Sequence, residues 1–319
     1  MTFGELLDRW LAVKRMTVEP STIRNYEWVA RKYIRPVLAS RKLTAIRPID
    51  LDQLYTDLHG RGLSPRTVRI CHTVLRQSLE QARRWGVIAR SPAVDATPPR
   101  QVCKEVTPPT IDEVRQLLDG AVGDDLDFGT YLWLLAATGC RRGEACAIRW
   151  TDVDVDAGEL RIRRAIAMDA DGQPYVKDTK THQSRRLALD EATIVRLKAH
   201  RRRARERALA LGVRLAADAY LFADLEGRPW RPDVCTNRFG RLRKQLGLES
   251  VRLHDLRHFM ATALGDAGLP IATISKRLGH RDAATTLNIY THALPATDQL
   301  AATYLGDLLS GRTSEQGRP

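Results

Sequence analysis

The chain has 319 residues, a length that predicts two domains. It carries 51 Lys and Arg against 38 Asp and Glu, a formal net charge of +13, and its 43% hydrophobic and 28% charged residues exclude a disordered chain. Five cysteines without a C-x-x-C pair argue against a disulfide framework or a zinc ribbon. The longest apolar run, residues 131–137, is far shorter than the roughly 20 residues of a membrane span, and the N-terminus lacks a signal-peptide pattern. We therefore expect a cytoplasmic protein with an affinity for polyanions.

The first domain, residues 1–97, is predicted to be a bundle of four helices. It holds 17 basic and 9 acidic residues, against 34 and 29 in the rest of the chain, so it is the more basic part per residue. Such a surface favours binding to the phosphate backbone of a nucleic acid, because counterions are released on binding. The alternative interpretation is a soluble protein whose positive surface has no nucleic-acid partner. Apolar residues at helical spacing place the helices at residues 3–16, 21–36 (Ser21 as N-cap, Pro36 as the end), 50–58 and 64–86.

A proline-rich segment, residues 98–109, is predicted to link this bundle to a second domain, residues 110–319. The fold class is therefore mainly α with a small β-sheet: a helical N-terminal domain followed by an α+β domain. The basic run 196–207 fits a solvated helix face, and a nucleic-acid-facing role stays open. The predicted elements of the second domain are a helix capped by Thr110, a buried helix at residues 131–137, strands at 159–166, 174–178 and 185–189, and a helix from Glu191.

The second domain contains four patches of chemistry-bearing residues and no motif for ATP, nicotinamide or zinc-protease chemistry. Taken singly, each patch has an ordinary structural explanation. An arginine is more often a surface ion-pair partner, two histidines at i, i+4 spacing are more often core residues than metal ligands, and most tyrosines pack half-buried. Lys177 also competes with Lys180. The patches are residues 137–150 with Arg141, 177–186 with Lys180, 254–258 with His254, Arg257 and His258, and 278–292 with His280 and Tyr290.

In this order the patches resemble the tyrosine recombinases, or phage-type integrases. The family pattern is TG-x-R-x-x-E, a hairpin lysine, H-x-L-R-H, L-G-H and a tyrosine further on. The resemblance spans nearly the whole chain, because the helix that starts at Ser64-Pro65 is similar to the family's SAM-like core-DNA-binding domain. Two departures are Cys140, in a usually aliphatic position, and Phe259-Met260 after the H-x-L-R-H box. The match consists of Thr138-Gly139-Cys140-Arg141-Arg142-Gly143-Glu144, Lys180, His254-Asp255-Leu256-Arg257-His258, Leu278-Gly279-His280 and Tyr290.

The resemblance implies an enzyme that cleaves and rejoins DNA through a 3′-phosphotyrosyl intermediate, without metal, ATP or another cofactor. Phosphoryl transfer depends mostly on positioning and charge stabilisation, which suits guanidinium groups that keep their charge and donate in pairs. The implied catalytic residues are Tyr290 as nucleophile, Arg141 and Arg257 on the non-bridging oxygens, Lys180 as general acid, His254 as base and His280 on a phosphate oxygen. Glu144 and His258 are expected to support them, and Arg24, Arg66, Arg69 and Arg84 to contact DNA.

The implied partner is double-stranded DNA at attachment or crossover sites, on which proteins of the family assemble as tetramers. An accessory directionality factor is a further possible partner, and no interaction with a membrane is expected. The amphipathic segment 297–309 is expected to be donated to a neighbouring protomer, and packing on its own domain is the alternative. We expect no N-terminal arm-binding domain, which keeps a Xer-like or plasmid resolvase role open beside integration and excision of a phage or mobile element. A type IB-like topoisomerase and a non-catalytic DNA-binding protein are further alternatives. A bacterial or phage origin and association with the nucleoid are expected.

Overall fold

The computed structural model describes residues 1–100, 107–169, 171–178 and 184–279. The chain divides into two compact units, Met1–Val106 with Met168–Tyr175, and Thr107–Ala167 with Val176–Pro319. Each unit has its own hydrophobic core. None of the helices within the described ranges is long and apolar enough to cross a membrane.

The first unit is built from helices, as the sequence predicts. Its longest helix begins where the Ser64-Pro65 pair indicates, because the Ser64 hydroxyl accepts from the Thr67 amide and Pro65 occupies the first turn. The apolar stripe of this helix is buried in the core of the unit. The helices are α1 (Phe3–Arg15), α2 (Pro20–Val29), α3 (Arg35–Leu38), α4 (Pro48–Gly60) and α5 (Pro65–Arg84), with 3₁₀ turns at Leu43–Ala45 and Pro92–Val94.

The second helix differs from its prediction at both ends. Glu19 rather than Ser21 is the N-cap residue, because Pro20 takes the first helical position, which suits its fixed φ and missing N–H. Pro36 does not end the helix, since residues Ala30–Ile34 form a π-helical turn that connects α2 to α3. A proline has no N–H and its ring crowds the carbonyl four residues back, so the wider turn ahead of it relieves the conflict.

The second unit combines helices with short strands. Its first helix begins at Thr110, whose hydroxyl accepts from the Glu113 amide at 3.2 Å while the Glu113 carboxylate accepts from the Thr110 amide at 2.7 Å. The helices are α6 (Ile111–Asp124), α7 (Leu126–Thr138), α8 (Arg142–Ala147), α9 (Glu191–Ala210), α10 (Pro232–Gln245), α11 (Asp255–Asp266) and α12 (Ile271–Leu278). The strands are β1 (Val153–Asp154), β2 (Glu159–Ile162), β3 (Arg164–Met168), β4 (Pro174–Asp178) and β5 (Arg185–Ala188).

The prediction of one strand over residues 159–166 is wrong, because the chain there belongs to two sheets. β2 lies between β1 and β5 in an antiparallel sheet, whereas β3 pairs with β4. The break falls at Arg163. Arg163 and Arg164 both reach the buried carboxylate of Asp152, at 3.4 and 2.6 Å. Consecutive residues of a regular strand point to opposite faces, so two neighbours on one partner require the strand to break.

The core of the second unit is centred on α7. Tyr131 is fully buried and contacts the rings of Phe222 and Trp230, with ring centroids 5.2 and 5.8 Å away. The apolar run in the sequence therefore predicts a buried helix correctly. The fold class is also the predicted one, mainly helical with small sheets.

The basic run of residues 196–207 lies on α9, and several of its arginines are engaged within the unit. Arg203 and Arg207 donate to Asp127, a carboxylate that also accepts from the buried His200. Burial alone would raise the pKa of Asp127, but the hydrogen bonds from His200 and Arg203 hold the pKa well below its usual range. The guanidinium of Arg196 lies 4.0 Å from the Trp133 ring centroid. Much of this charge therefore stabilises the fold.

Candidate active site

The turn between α7 and α8 sets the position of the first predicted arginine. α7 ends at Thr138, and Gly139 adopts the left-handed conformation with φ of 62°. A Cβ at Gly139 would lie 2.1 Å from Cε of Met260, so the position needs glycine for its backbone angle and for the close approach of α11. Arg141 follows as the N-cap residue of α8.

Arg141 is tied to Glu144, which lies one turn further along. The buried Glu144 carboxylate accepts from the Arg141 backbone amide at 2.9 Å and from its Nη1 at 3.0 Å. The Arg141 side chain remains 47% exposed. Burial raises the pKa of Glu144, but the guanidiniums of Arg185 and Arg141 outweigh burial and lower the pKa. Glu144 is thus a charged, buried group that orients Arg141.

Arg257 connects three of the sequence patches through its side chain. It lies on α11, is only 5% exposed, and donates to the carbonyl oxygen of Gly139 at 2.5 Å and to that of Leu278 at 2.6 Å. Burial, together with the nearby charge of Arg141, lowers the pKa of Arg257 to about 9. Its guanidinium is therefore held in place by the backbone of two other segments.

His254 and His258 lie side by side at the start of α11. His254 occupies the N-cap position, and its ring meets that of His258 at 88° with centroids 5.1 Å apart. Partial loss of hydration, followed by the charges of His258 and Arg257, lowers the pKa of His254 to about 4, although the residue is exposed at the surface. A neutral imidazole at pH 7 is in the state that accepts a proton.

Sequence reasoning missed two arginines that complete this group. Arg185 on β5 donates to both Glu144 oxygens, at 3.2 and 2.6 Å, and Arg277 on α12 donates to the carbonyl oxygen of Ala137 at 3.0 Å. Arg185 belongs to the same sequence patch as Lys180, but only Lys180 is a predicted catalytic residue in that patch. The one sequence signal for it is the arginine pair Arg185-Arg186 at the start of a predicted strand that follows Lys180 in the chain.

The site as a whole is cationic. Three guanidiniums, those of Arg141, Arg185 and Arg257, act on the one carboxylate of Glu144, so positive charge is in excess. No group of three His, Cys, Asp or Glu side chains that could hold a metal ion occurs within the described ranges. What these residues offer is a set of fixed guanidiniums, of which that of Arg141 is partly exposed, as donors for a tetrahedral or trigonal anion.

The other predicted site residues of the second unit lie outside the described residues. These are Lys180, His280, Tyr290 and the segment 297–309. β4 ends at Asp178 and β5 begins at Arg185, so Lys180 lies between two strands in the chain.

The four arginines predicted to contact DNA belong to the first unit and are exposed. Arg24 on α2 lines a solvent-open cavity of about 510 Å³ together with Asn25, Trp28 and Arg31. On α5, Arg66 is exposed, Arg69 donates to the carbonyl of Pro99, and Arg84 lies 3.5 Å from Glu80.

Comparison with protein families agrees with the architecture of both units. The model described as Phage integrase family matches residues 110–297, and the model described as Phage integrase, N-terminal SAM-like domain, matches residues 2–59. The chain therefore belongs to the phage integrase family. It is a tyrosine recombinase, an enzyme of the class that cleaves and rejoins DNA in site-specific recombination.

Individual relatives cover nearly the whole chain. It is 30% identical to a tyrosine recombinase XerC-like protein of Caldanaerobacter subterraneus, over 97% of this chain and 83% of the relative, and 26% identical to the ICEBs1 integrase of Bacillus subtilis, over 97% and 84%. Among solved structures, the Tn1549 transposon integrase in complex with transposon right end DNA has a TM-score of 0.79 at 21% identity, over 96% of this chain and 100% of that one. A lambda integrase tetramer bound to a Holliday junction has a TM-score of 0.69 at 19% identity, over 90% and 77%. These structural likenesses show the shared fold.

Proposed function

We propose that this chain integrates and excises a phage or mobile element by cleaving and rejoining double-stranded DNA through a covalent bond to Tyr290. The observation that carries the proposal is the cationic group at the meeting point of α7, α8, α11 and α12. Arg257 is fixed there by the carbonyls of Gly139 and Leu278, and Arg141 is fixed by Glu144 with part of its side chain exposed. Two oriented guanidiniums with excess positive charge suit the non-bridging oxygens of one phosphodiester.

The proposed reaction exchanges one phosphodiester for another. The phenolic oxygen of Tyr290 attacks phosphorus and its proton passes to His254, which is neutral at pH 7. The bond from phosphorus to the 5′ oxygen breaks, and that oxygen takes a proton from Lys180. Arg141, Arg257 and His280 stabilise the charge on the non-bridging oxygens in the transition state. The free 5′ hydroxyl then attacks a phosphotyrosyl bond in a partner strand, so rejoining restores a phosphodiester and regenerates Tyr290.

The rest of the proposal concerns binding and assembly. Arg24, Arg66, Arg69 and Arg84 contact the duplex backbone, and affinity falls as salt rises because counterions are released on binding. The active form is a tetramer on DNA, as the lambda integrase tetramer bound to a Holliday junction suggests by analogy. The amphipathic segment 297–309 is exchanged between its protomers. The enzyme works in the cytoplasm on the nucleoid of a bacterial host. A Xer-like or plasmid resolvase role is the alternative biological setting of the same chemistry.

A covalent-capture experiment tests this function without knowledge of the target site. Purified protein is mixed with a library of duplexes that carry a randomised core and a nick placed so that cleavage releases a short strand and traps the intermediate. Covalent protein–DNA adducts are recovered after denaturation in SDS, and their DNA is sequenced. We expect adducts enriched in one core sequence, with the protein joined to a 3′ phosphate at Tyr290.

Two tyrosine variants control the experiment. Tyr290→Phe removes the nucleophile and is expected to give no adducts, whereas Tyr220→Phe, which alters a tyrosine beside Arg149 on another part of the second unit, gives them at the wild-type level. Absence of adducts with folded wild-type protein, or equal adducts with Tyr290→Phe, contradicts the proposal. Relaxation of supercoiled plasmid without joined recombinant products assigns topoisomerase activity instead.

A further inference from the structure

We propose that Arg185 is a positioning residue for DNA cleavage, which holds Glu144 and the end of α12 in the places where they align Arg141 and Arg257. The proposal rests on the proposed function and adds a residue to which the resemblance gives no role. Arg185 lies on β5, which hydrogen-bonds to β2, so its backbone belongs to a sheet and not to a loop.

The first argument is the bond between Arg185 and Glu144. Nη2 lies 2.6 Å from one carboxylate oxygen and Nη1 lies 3.2 Å from the other, and the two side chains are 10% and 4% exposed. Arg185 therefore grips the carboxylate in two places with little water available to replace it. Glu144 in turn accepts from the backbone and side chain of Arg141. Moving Arg185 frees Glu144 to rotate, and Arg141 then loses its fixed partner.

The second argument is a reciprocal pair of contacts between β5 and α12. Nε of Arg185 donates to the carbonyl oxygen of Arg277 at 3.1 Å, and the side chain of Arg277 donates back to the carbonyl oxygen of Ala188 at 3.3 Å. The carbonyls at the end of a helix have no partner within it, so Arg185 supplies a donor that α12 itself lacks. The next carbonyl, that of Leu278, is bonded to Arg257. Arg185 and Arg257 thus hold adjacent peptide groups.

The third argument is the glycine that follows this helix. Gly279 has φ of 66°, and a Cβ there would lie 2.9 Å from Nη1 of Arg185 and 3.1 Å from its Cδ. The close approach shows that the turn out of α12 is packed directly on the Arg185 side chain. The chain continues from this turn to His280, which lies outside the described residues.

Lysine at position 185 would keep the charge but not the geometry. The guanidinium of Arg185 reaches three acceptors in two directions from one rigid plane, whereas an ammonium group is a single point with three donors at the end of a flexible stem. Arg185→Lys therefore removes the alignment while leaving a positive charge near Glu144. Arg186 is the matched control, because it is the next residue of the same strand, its side chain is 68% exposed, and its Nη1 lies 3.9 Å from Glu159.

The test compares Arg185→Lys and Arg186→Lys with the wild type in single-turnover cleavage of the captured DNA site, at saturating protein. The fraction of protein that forms adducts, the rate constant of adduct formation and the Kd for DNA are measured separately. We expect Arg185→Lys to lower the rate constant by about tenfold to a hundredfold, with an adduct-forming fraction and Kd near those of the wild type. Arg186→Lys is expected to match the wild type in all three.

A purely structural role gives the opposite pattern: fewer active molecules, each cleaving at the wild-type rate constant. That result overturns the proposal, and so does a wild-type rate constant in fully active Arg185→Lys. A double variant, Arg185→Lys with Glu144→Gln, tests the route of the effect. If Arg185 acts through Glu144, the double variant loses no more rate than the slower single variant, whereas multiplied losses contradict that route. Failure of the proposed function is distinguishable, because then the wild type itself forms no adducts.

Discussion

Replacing Gly139 by alanine perturbs the turn that leads into Arg141 and supplies a carbonyl acceptor to Arg257. The left-handed backbone of Gly139 costs an alanine about 1–2 kcal/mol. The new Cβ would also lie 2.1 Å from Met260 Cε and 3.2 Å from Leu278 Cδ2, inside a small cluster where Met260 is 5% exposed. Overpacking costs about 1–3 kcal/mol, and the flexible end of Met260 favours the lower part of that range. We therefore expect a total loss of about 2–4 kcal/mol.

Thermal unfolding measures this loss of stability. At about 2–4 °C per kcal/mol for a unit of this size, the Tm of Gly139→Ala should fall by roughly 4–16 °C. Gly212→Ala is the matched control, because Gly212 has φ of 73° and nothing within 4 Å of a new Cβ, so it reports backbone strain alone. Cleavage should also slow in Gly139→Ala, since the carbonyl of Gly139 is a bonding partner of Arg257.

A double variant separates the steric cost from the backbone cost. Met260→Ala removes the atom nearest to the new Cβ and leaves the contact with Leu278 Cδ2 at 3.2 Å, so in that background the cost of Gly139→Ala should fall towards the backbone term of about 1–2 kcal/mol. The reasoning is refuted if Gly139→Ala costs no more than Gly212→Ala, or if its cost is the same with and without the Met260 side chain.

Three further variants test other parts of the structure. Thr110→Ala removes the N-cap bond to the Glu113 amide and should cost about 1 kcal/mol in thermal unfolding; an unchanged Tm would show that the cap contributes nothing. Asp127→Asn removes the charge from the carboxylate that accepts from His200, Arg203 and Arg207 and should cost about 1.5–3 kcal/mol at pH 7. Because the folded-state pKa of Asp127 is lowered, its contribution to the free energy of unfolding is present above the usual pKa of an aspartate and is lost as pH falls. The free energy of unfolding should therefore fall less steeply with acid in the variant than in the wild type, and parallel curves contradict the assignment. Arg257→Lys should slow cleavage by about 100-fold or more in single-turnover assays with little change in DNA affinity, and equal loss of both would indicate a binding role only.

Several helices could be predicted from the sequence because their signals are local. Ser64-Pro65 and Thr110 mark helix starts, because each N-cap hydroxyl accepts a hydrogen bond from an amide three residues further on. The apolar run at residues 131–137 indicates a helix that is buried on all its faces. The same local reasoning fails at residues 159–166. There the strand breaks because Arg163 and Arg164 share Asp152, a long-range preference that no hydrophobic alternation reveals.

The candidate site divides in the same way. The order of its motifs in the sequence was enough to name Arg141, His254, Arg257 and Tyr290 and to indicate the family. The roles of these residues stay predictions, and the described structure adds what holds Arg141 and Arg257: Glu144 for the first, two backbone carbonyls for the second.

The net charge of +13 indicates a polyanion partner, but it does not say which residues hold that partner or how. The sequence by itself indicated several helix starts, the family and the residue types of the site, because caps and apolar periodicity are local signals and the motifs occur in the order of the family. Only the tertiary structure decided which charges stay available for a ligand. It assigned Arg203 and Arg207 to Asp127, and it placed Arg185 on Glu144, 41 residues away in the chain. Such pairings form when folding brings distant side chains together around a carboxylate that is largely shielded from water, and sequence spacing does not specify them.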